Sequence, residues 1–385
     1  MNIHWTRITV AWVYFLLSGA ALAQDHHHIA PTAPKPSVAI VLAQHGQPAT
    51  DVPAPLLGEY FGLMGHFHYG APLSGQENMS SEQIADLENR FHDVETQIVE
   101  WCRNPMNDKF WLHSYYLAEG IQNNLGYPVL VGFNEFCNPT LEDALLKAAS
   151  QTTDRVIMVT PMLTPGGGHP EHDLPKVVGK VQDQLVAQES SVEITYIWPR
   201  SDDEISTWID HATDLVVKQL QRPEYPQGGT IVFVQHGVPI RGYESRKALQ
   251  QVIGACNDDP SSQICQNYLS AAKQDKYWIS SERMRAAIET KTGRTTYVAN
   301  NEFSYPDLGS VLRNVGRQSA AGEKITVVNA MLTQGGDHGK DDIPNTIAAT
   351  EKELGESSPV FVSAWPFEEQ DVVDFLTGLI ESHLE

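Results

Sequence analysis

The sequence has little positive charge, few cysteines and few long apolar runs. Each of these features excludes some classes of protein or partner. Only 26 Lys and Arg residues stand against 48 Asp and Glu, which gives a formal net charge of −22. That balance argues against nucleic acid or an anionic membrane as a partner. The apolar run at residues 8–17 is too short for a membrane span. We therefore expect no nucleic-acid partner and no stable membrane insertion.

The N-terminal segment predicts a secretory signal peptide instead of a membrane anchor. Arg7 supplies the positive charge, residues 8–17 the apolar region, and Ala21-Leu22-Ala23 the small-residue cleavage site. No cysteine follows that site, which argues against a lipoprotein. We expect residues 1–23 to be removed after Ala23 and the mature protein to be periplasmic or secreted. Residues 24–37 are then a His- and Pro-rich tail, in which His26–His28 either scavenge metal or are simply solvated.

The four cysteines suit an oxidising compartment. Cys256 and Cys265 flank a short acidic loop and are predicted to form a disulfide. Cys102 and Cys137 remain as a second pair by elimination. Because Cys137 lies close to Glu135 in the sequence, a role as a soft metal ligand stays open as well.

A long motif occurs twice in the chain. Residues 162–175 and residues 331–344 both reduce to Met-Leu-Thr-x-Gly-Gly-x-His-x-x-x-Asp-(Leu/Ile)-Pro. Three further blocks match in the same order, namely 38–48 with 230–239, 132–139 with 299–306, and 197–199 with 364–366. Chance similarity does not preserve four blocks in order, so we predict an internal duplication.

Each half is predicted to be a flavodoxin-like α/β module with a four-stranded parallel sheet. Short β-branched runs suit strands that are buried on both faces, here at 38–43, 129–133, 156–162 and 192–197. Helices are predicted between strands, at 81–101, 112–124, 141–149, 280–290 and 308–319. The predicted modules are residues 38–220 (the first half) and 230–385 (the second half), joined by a Pro/Gly linker at 221–229.

This topology predicts where polar residues meet. Ligands of open α/β sheets bind at the carboxyl ends of the strands. His45 follows the first predicted strand, Glu135 ends the second and His169 follows the third, so all three should lie at one edge. The same argument places a second set together, His236, Glu302 and His338. Two imidazoles and a carboxylate suit a divalent metal such as Co, Ni, Fe or Zn.

Three of these blocks resemble a known family. His45-Gly46 after the first strand, Glu-Phe-x-x-Pro at 135–139 after the second, and the Gly-rich His-x-x-x-Asp-Leu-Pro at 169–175 are similar to the class II tetrapyrrole chelatases, the sirohydrochlorin cobaltochelatase and ferrochelatase group. The resemblance spans roughly residues 38–384. It implies two tandem chelatase-like modules that insert Co(II), Fe(II) or Ni(II) into an acidic tetrapyrrole without ATP. As an internal pseudo-dimer, such a chain suffices as a monomer, or it forms a low-order homo-oligomer.

The resemblance also implies roles for the candidate residues. His45 and His169 would hold the metal, and a His or Glu135 would take the two pyrrole N–H protons. Asp173 and Pro175 are expected to start a helix, as an N-cap followed by proline, instead of touching metal. The same roles carry over to the second half, to His236, His338, Glu302, Asp342 and Pro344. Whether one cleft or both would work stays open.

Several features leave alternatives. An exported metal or haem/tetrapyrrole carrier on a chelatase fold remains the second function, because biosynthetic chelatases of this group normally work in the cytoplasm. A histidine phosphatase is excluded, since Gln44 and Gln235 stand where the phosphate clamp needs Arg.

An acidic ligand calls for local basic residues, and the candidates are Lys176, Arg200, Arg241 and Arg246. Trp198 and Trp365 are structural or form an aromatic rim. The insertion at 51–107, with residues 66–69, is expected to lack a counterpart in the second half.

Overall fold

The computed structural model describes residues 36–48, 52–67, 79–101, 109–240, 242–243 and 246–384. The predicted signal peptide, the His26–His28 tail, Cys102 and Arg241 lie outside these residues. Residues Pro36–Glu385 form one compact unit. None of the described helices has the length and apolar character needed to cross a bilayer.

The described strands form two four-stranded parallel sheets, as predicted. The first sheet has the order β2-β1-β3-β4 and the second has the matching order β6-β5-β7-β8. The strands of the first half are β1 (Val38–Gln44), β2 (Val129–Phe133), β3 (Arg155–Val159) and β4 (Glu193–Ile197). Those of the second half are β5 (Ile231–Gln235), β6 (Thr296–Asn300), β7 (Lys324–Asn329) and β8 (Val360–Ser363). The central strands β1 and β5 are buried along their whole length because helices cover both faces.

Helices connect the strands in both halves. In the first half they are α1 (Ala54–Phe67), α2 (Ser81–Trp101), α3 (Lys109–Leu125), α4 (Leu141–Gln151), α5 (Leu174–Ala187) and α6 (Asp202–Leu220). In the second half they are α7 (Arg246–Asp258), α8 (Gln263–Ala272), α9 (Lys276–Thr292), α10 (Leu308–Gln318), α11 (Ile343–Leu354) and α12 (Glu369–Glu381). The sequence prediction missed several of these helices, namely α1, α6, α7, α8 and α12. For α6 the capping box of Ser201 and Glu204 is a readable start signal.

Two details differ from the sequence prediction. The strand predicted at 156–162 ends at Val159, because the neighbouring strand β4 ends at the paired residue Ile197 and a turn begins, with Met162 N donating to Thr160 O (2.9 Å). The expectation that the insertion at 51–107 lacks a counterpart is wrong. Helices α7 and α8 follow β5 just as α1 and α2 follow β1, so both halves carry a pair of helices before the helix that leads into the next strand.

The two halves share their interior. The largest apolar core includes residues from both sheets, such as Ile40 and Met158 from the first and Phe233 and Val328 from the second. Helix α3 of the first half packs against α12 of the second, and α9 of the second half packs against α6 of the first. Burial of apolar surface between the halves therefore holds them together. The exact module boundaries at 220 and 230 stay predictions.

Buried polar groups add specific links. The Arg294 guanidinium holds the linker by donating to the carbonyls of Pro226 and Gly229 (both 3.0 Å) and to Thr326 Oγ1 (2.7 Å). Gln44, at the end of β1, accepts a hydrogen bond from Thr333 of the second half (3.0 Å). Gln44 thus ties the two halves together at the position where a phosphatase would place Arg.

The predicted disulfide between Cys256 and Cys265 is present and joins α7 to α8, with 4.9 Å between the Cα atoms. Cys137 is also disulfide-bonded. It therefore offers no thiolate, and the alternative role of Cys137 as a soft metal ligand is wrong. Its predicted partner, Cys102, lies outside the described residues.

Candidate metal-binding site

The structure brings the predicted residues together in two clusters. His45 directly follows β1, Glu135 lies just after β2, and His169 lies in the loop after β3. One ligand atom from each of these side chains lies within 4.8 Å of the other two. The same holds for the second cluster, His236, Glu302 and His338. Parallel strands deliver their carboxyl ends to one edge, which is why residues far apart in the sequence meet there.

The glycine after the first histidine fixes the approach of the glutamate. Gly46 has φ +93°, and a Cβ there would lie 1.9 Å from the carbonyl oxygen of Glu135. Glu135 N in turn donates to His45 O (2.9 Å). Gly237 does the same in the second half, where a Cβ would lie 1.8 Å from Glu302 O. Only glycine allows this backbone contact, so His-Gly is a structural requirement of the cluster.

The two imidazoles of the first cluster face each other through the atoms that would bind metal. His45 Nε2 and His169 Nε2 are 2.8 Å apart. His45 Nδ1 faces the Gly46 carbonyl (2.9 Å) and His169 Nδ1 faces the Asp173 carboxylate (2.7 Å). Both Nδ1 atoms therefore carry a proton, and both Nε2 atoms present lone pairs to each other. That arrangement is repulsive unless a metal cation lies between the two nitrogens or one of them is protonated and donates to the other.

Asp173 orients His169, contrary to the expectation that it caps a helix. The segment His169–Asp173 is a π-helical turn that leads into α5, and the Asp173 side chain makes no capping hydrogen bond. The turn places the carboxylate beside His169 Nδ1. Pro175 does lie in the first turn of α5, as predicted. A carboxylate behind a ligating imidazole fixes its tautomer and raises its basicity, so Asp173 acts on the site through His169.

The second cluster repeats this arrangement with small differences. His236 Nε2 and His338 Nε2 are 3.2 Å apart, and His338 Nδ1 lies 2.7 Å from Asp342 in the π-helical turn His338–Asp342. The side-chain amide of Asn301 also lies 3.0 Å from that nitrogen. The shorter, charge-assisted contact with Asp342 determines the tautomer.

The carboxylates differ more than the histidines. Glu135 is 4% exposed, with its oxygens 4.0 Å from His45 Nε2 and 3.8 Å from His169 Nδ1. Glu302 is exposed. Phe136 packs beside His45 and against Tyr60 of α1 and is buried, whereas its counterpart Phe303 is 40% exposed. Helix α1 therefore packs against the residue next to the buried first carboxylate, whereas the second carboxylate faces solvent.

Burial and neighbouring charges shift the imidazoles. Burial, with a contribution from His169, lowers the pKa of His45. Burial and His338 lower the pKa of His236 to about 3. Burial also acts to lower the pKa of His169, but the hydrogen bond with Asp173 and the charge of Glu135 outweigh it and raise that pKa. His45 and His236 are thus neutral near pH 7 and ready to bind a cation.

The two clusters lie close enough for their charges to interact. His338 contributes to lowering the pKa of His45, and His45 and His169 contribute to lowering that of His236. Loops from the two halves also meet, where Gln47 Nε2 donates to Asp337 Oδ1 and Asp337 N donates to Gln47 Oε1 (both 3.3 Å). The clusters therefore lie near each other, in a region where loops of the two halves meet.

The remaining candidates lie apart from the clusters. Trp198 is buried and donates to Glu171 (2.6 Å), and Trp365 donates to the Met331 carbonyl (2.8 Å). Lys176 and Arg200 are exposed, and the side chain of Arg246 is outside the described residues. Of the residues at 66–69, the described ones end α1. The sequence analysis missed Glu171 and Lys276, which form a 2.6 Å ion pair between the halves.

Comparisons with known proteins agree with the fold and the motifs. The family model described as CbiX matches residues 113–205, a range that contains Glu135 and His169. The sirohydrochlorin cobaltochelatase of Methanopyrus kandleri is 41% identical over 51 residues, which are 13% of this chain and 35% of the relative. That of Methanocaldococcus jannaschii is 34% identical over 68 residues, 17% of this chain and 47% of the relative. The chain thus spans between a third and a half of these curated relatives.

A solved structure supports the fold over a wider range. SirB from Bacillus subtilis, solved with Fe3+, covers 90% of this chain and 95% of its own, with a TM-score of 0.50 and 11% sequence identity. At that identity the likeness concerns the fold alone. In this chain that fold consists of two four-stranded parallel sheets. The family model and the two cobaltochelatases supply the sequence evidence. In its motifs, these partial matches and its two sheets, the chain is similar to the class II chelatases.

Proposed function

We propose that the protein is a metal chelatase that inserts Co(II) or Fe(II) into a sirohydrochlorin-like tetrapyrrole. The observation that carries the proposal is the pair of Nε2 atoms 2.8 Å apart, each on an imidazole whose Nδ1 faces an acceptor. Such a pair attracts a divalent cation, and imidazole suits Co(II) and Fe(II). The matches to sirohydrochlorin cobaltochelatases support the choice of substrate class.

The donor set suits delivery of a metal better than its storage. Two imidazoles and one carboxylate leave coordination positions open, unlike a closed structural site with four protein ligands. His45 and His169 would hold the ion while the macrocycle nitrogens replace its other ligands. Because the ion is the substrate, the site must release it, and a small donor set favours release.

Insertion also requires two protons to leave the macrocycle. The metal replaces two pyrrole N–H hydrogens, so one divalent ion enters and two protons depart. Glu135 is a buried carboxylate beside both histidines, which places a base next to the proposed metal position. Asp173 keeps His169 in the tautomer that binds metal.

We assign the main activity to the first cluster. Both clusters contain the two histidines, but only in the first is the carboxylate buried beside them. A buried carboxylate interacts more strongly with a metal ion than an exposed one, because water screens it less. The second cluster is proposed as a weaker site in the same region.

The test is spectrophotometric. Purified protein is mixed anaerobically with sirohydrochlorin and Co(II) or Fe(II), and the macrocycle absorbance is followed against a reaction without protein. Many turnovers per chain are expected, and none in the double variant His169→Ala, His338→Ala. A shift that stops at one or two ligands per chain would replace the proposal by its alternative, a tetrapyrrole-binding protein. Full activity of the folded double variant would remove the assignment of these histidines.

Export to the periplasm or medium is a separate proposal, supported by Arg7, residues 8–17 and Ala23 in the sequence. N-terminal sequencing of protein expressed from the full sequence should find Gln24 as the first residue. A protein that retains Met1 and stays in the cytoplasmic fraction would contradict export without affecting the chelatase proposal.

A further inference from the structure

A cleft between the two halves is lined by two lysines on this acidic protein. Its volume is about 350 Å³, and its lining includes Lys109, His113, Tyr116, Lys340, Trp365 and Glu369. Lys340 lies in the π-helical turn that also carries His338. Lys109 begins α3, and among the described residues it makes no ion pair. We call this the Lys109–Lys340 pocket.

The duplicated position in the first half is filled. There Lys276 Nζ contacts Glu171 Oε1 (2.6 Å) and donates to the Pro199 carbonyl (3.0 Å). Trp198 Nε1 donates to the same oxygen of Glu171 (2.6 Å). An ion pair against the indole thus occupies the space that the Lys109–Lys340 pocket leaves open in the second half.

The repeat establishes this correspondence. Aligning His169 with His338 places Glu171 at Lys340, and the Trp-Pro pairs place Trp198 at Trp365. Lys276 and Lys109 are the first residues of α9 and α3, which occupy the same place in each half. A Cβ on Gly166 would meet Tyr277, the second residue of α9, at 2.6 Å, and one on Gly335 would meet Phe110, the second residue of α3, at 2.5 Å. The two regions therefore occupy equivalent places, but the Glu-Lys pair of the first half is replaced by two lysines, and Asp337 and Asp341 stand where the first half has Gly168 and His172.

A buried donor also belongs to the pocket. His113 is 5% exposed, and its Nδ1 accepts from Gln334 N (3.1 Å), so its Nε2 carries the proton. Among the described residues no acceptor faces that Nε2. A buried donor without an acceptor is unfavourable, and a bound acceptor would satisfy it. Lys340 has two acidic neighbours, Asp341 at 3.3 Å and Asp337, with which its charge interacts. Glu369 is the acidic residue of the lining, and its pKa is raised by burial and by Glu119.

We propose that the Lys109–Lys340 pocket binds the carboxylate side chains of the tetrapyrrole, with Trp365 and Tyr116 against its apolar part. The inference rests on the proposed function for the identity of the ligand, but the pocket is a separate observation. Ammonium groups attract carboxylates, and the indole and phenol rings supply apolar contact. Because Lys340 and His338 share one turn, a ligand held here lies beside the region of the two clusters. The excess of negative charge on the chain then does not prevent binding of an acidic macrocycle.

The matched test copies the first half into the second. Lys340→Glu recreates the acidic residue found at Glu171, which can pair with Lys109 and fill the pocket. Lys352→Glu, on the exposed face of α11, makes the same change in net charge away from the pocket. The probe is uroporphyrin, a metal-free macrocycle with eight carboxylates, titrated by fluorescence in metal-free buffer. Coproporphyrin, with four carboxylates, is the second probe.

Lys340→Glu is expected to weaken uroporphyrin binding by about tenfold or more, equivalent to about 1.4 kcal/mol, and Lys352→Glu by less than about twofold, as for an exposed charge. The loss should be smaller with coproporphyrin. Co(II) titration of the same variants should match the unaltered protein, because the histidine clusters are untouched. Circular dichroism confirms that each variant is folded.

Equal uroporphyrin affinity in the unaltered protein and in Lys340→Glu, or equal losses in both variants, would overturn the pocket. These outcomes are distinguishable from failure of the proposed function. A protein that never turns over sirohydrochlorin, yet loses uroporphyrin on Lys340→Glu, retains the pocket and is no chelatase. A protein that turns over sirohydrochlorin, yet binds uroporphyrin equally well with Lys340→Glu, is a chelatase that holds its substrate elsewhere.

Discussion

The two halves of the molecule contain the same three site residues on the same three loops, but they surround them differently. In the first half Glu135 is buried beside His45 and His169, and Phe136 beneath it packs against α1. In the second half Glu302 and Phe303 are exposed. The duplicated sequence therefore preserves the positions of the ligand atoms, while the helices inserted after the first strand of each half determine how much water reaches them.

The halves differ in the same direction at the edge of the site. The first half closes its Trp198 position with the Glu171–Lys276 ion pair, and the second half leaves the Lys109–Lys340 pocket open. The better-covered candidate metal cluster and the better candidate for carboxylate binding thus lie in different halves. A chain that keeps both copies can divide metal handling and ligand binding between them, which a single module cannot do.

The largest difference between the halves should appear when one histidine is removed from each. His169→Ala is expected to lower Co(II) affinity by more than about a hundredfold, since even partners behind the ligands are worth 10–100-fold. His338→Ala should affect only the weaker, more exposed cluster. Isothermal titration with Co(II) measures both. His172→Ala, an exposed histidine in the same turn as His169, is the control and should change little. Equal losses for His169→Ala and His338→Ala would remove the ranking of the clusters.

The carboxylates should differ in the rate of insertion. Glu135→Gln keeps the size of the side chain and removes the proposed base, so kcat should fall by about a hundredfold or more. Glu302→Gln should change kcat by less than about threefold, because an exposed carboxylate is replaced readily by water. Steady-state kinetics with sirohydrochlorin and Co(II) compares them. If Glu302→Gln has the larger effect, the second half carries the chemistry.

The residues behind the histidines should give a smaller difference in the same direction. Asp173 holds His169 and Asp342 holds His338, each at 2.7 Å, but their side chains are 21% and 46% exposed. Asp173→Asn should weaken Co(II) binding by about tenfold, and Asp342→Asn by less. The amide still fits beside the imidazole but removes the negative charge. An unchanged Co(II) affinity in Asp173→Asn would mean that Asp173 only supports the turn.

The sequence alone was sufficient to predict the repeat, both sheets and the convergence of the six site residues, because strand order and parallel pairing follow from apolar runs that alternate with helices. It also placed Asp173 next to a helix start, correctly, but assigned its side chain to capping. The choice between capping a helix and holding His169 depends on a π-helical turn that hydrophobic periodicity does not reveal.

The contrast in burial between Glu135 and Glu302 could not be predicted either. Both glutamates lie in nearly identical motifs, and their exposure depends on how α1 packs against Phe136. The Glu171–Lys276 pair was missed for a similar reason, since it joins residues of different halves. By contrast, the change from Glu171 to Lys340 is visible once the two copies of the motif are aligned.

The smallest expected difference concerns His113 in α3 and Ser280, which occupies the same place in α9 and does not titrate. Burial lowers the pKa of His113 from 6.5 to about 4. Between pH 6.5 and about 4 His113 is therefore protonated in the unfolded chain and neutral in the folded chain. The free energy of unfolding falls as the pH drops through that window. One such group contributes about 1 kcal/mol per pH unit over that window. Urea unfolding at several pH values should show a shallower dependence in His113→Gln than in the unaltered protein. Parallel curves would mean that His113 is protonated in the folded state, and its Nδ1 could not then accept from Gln334.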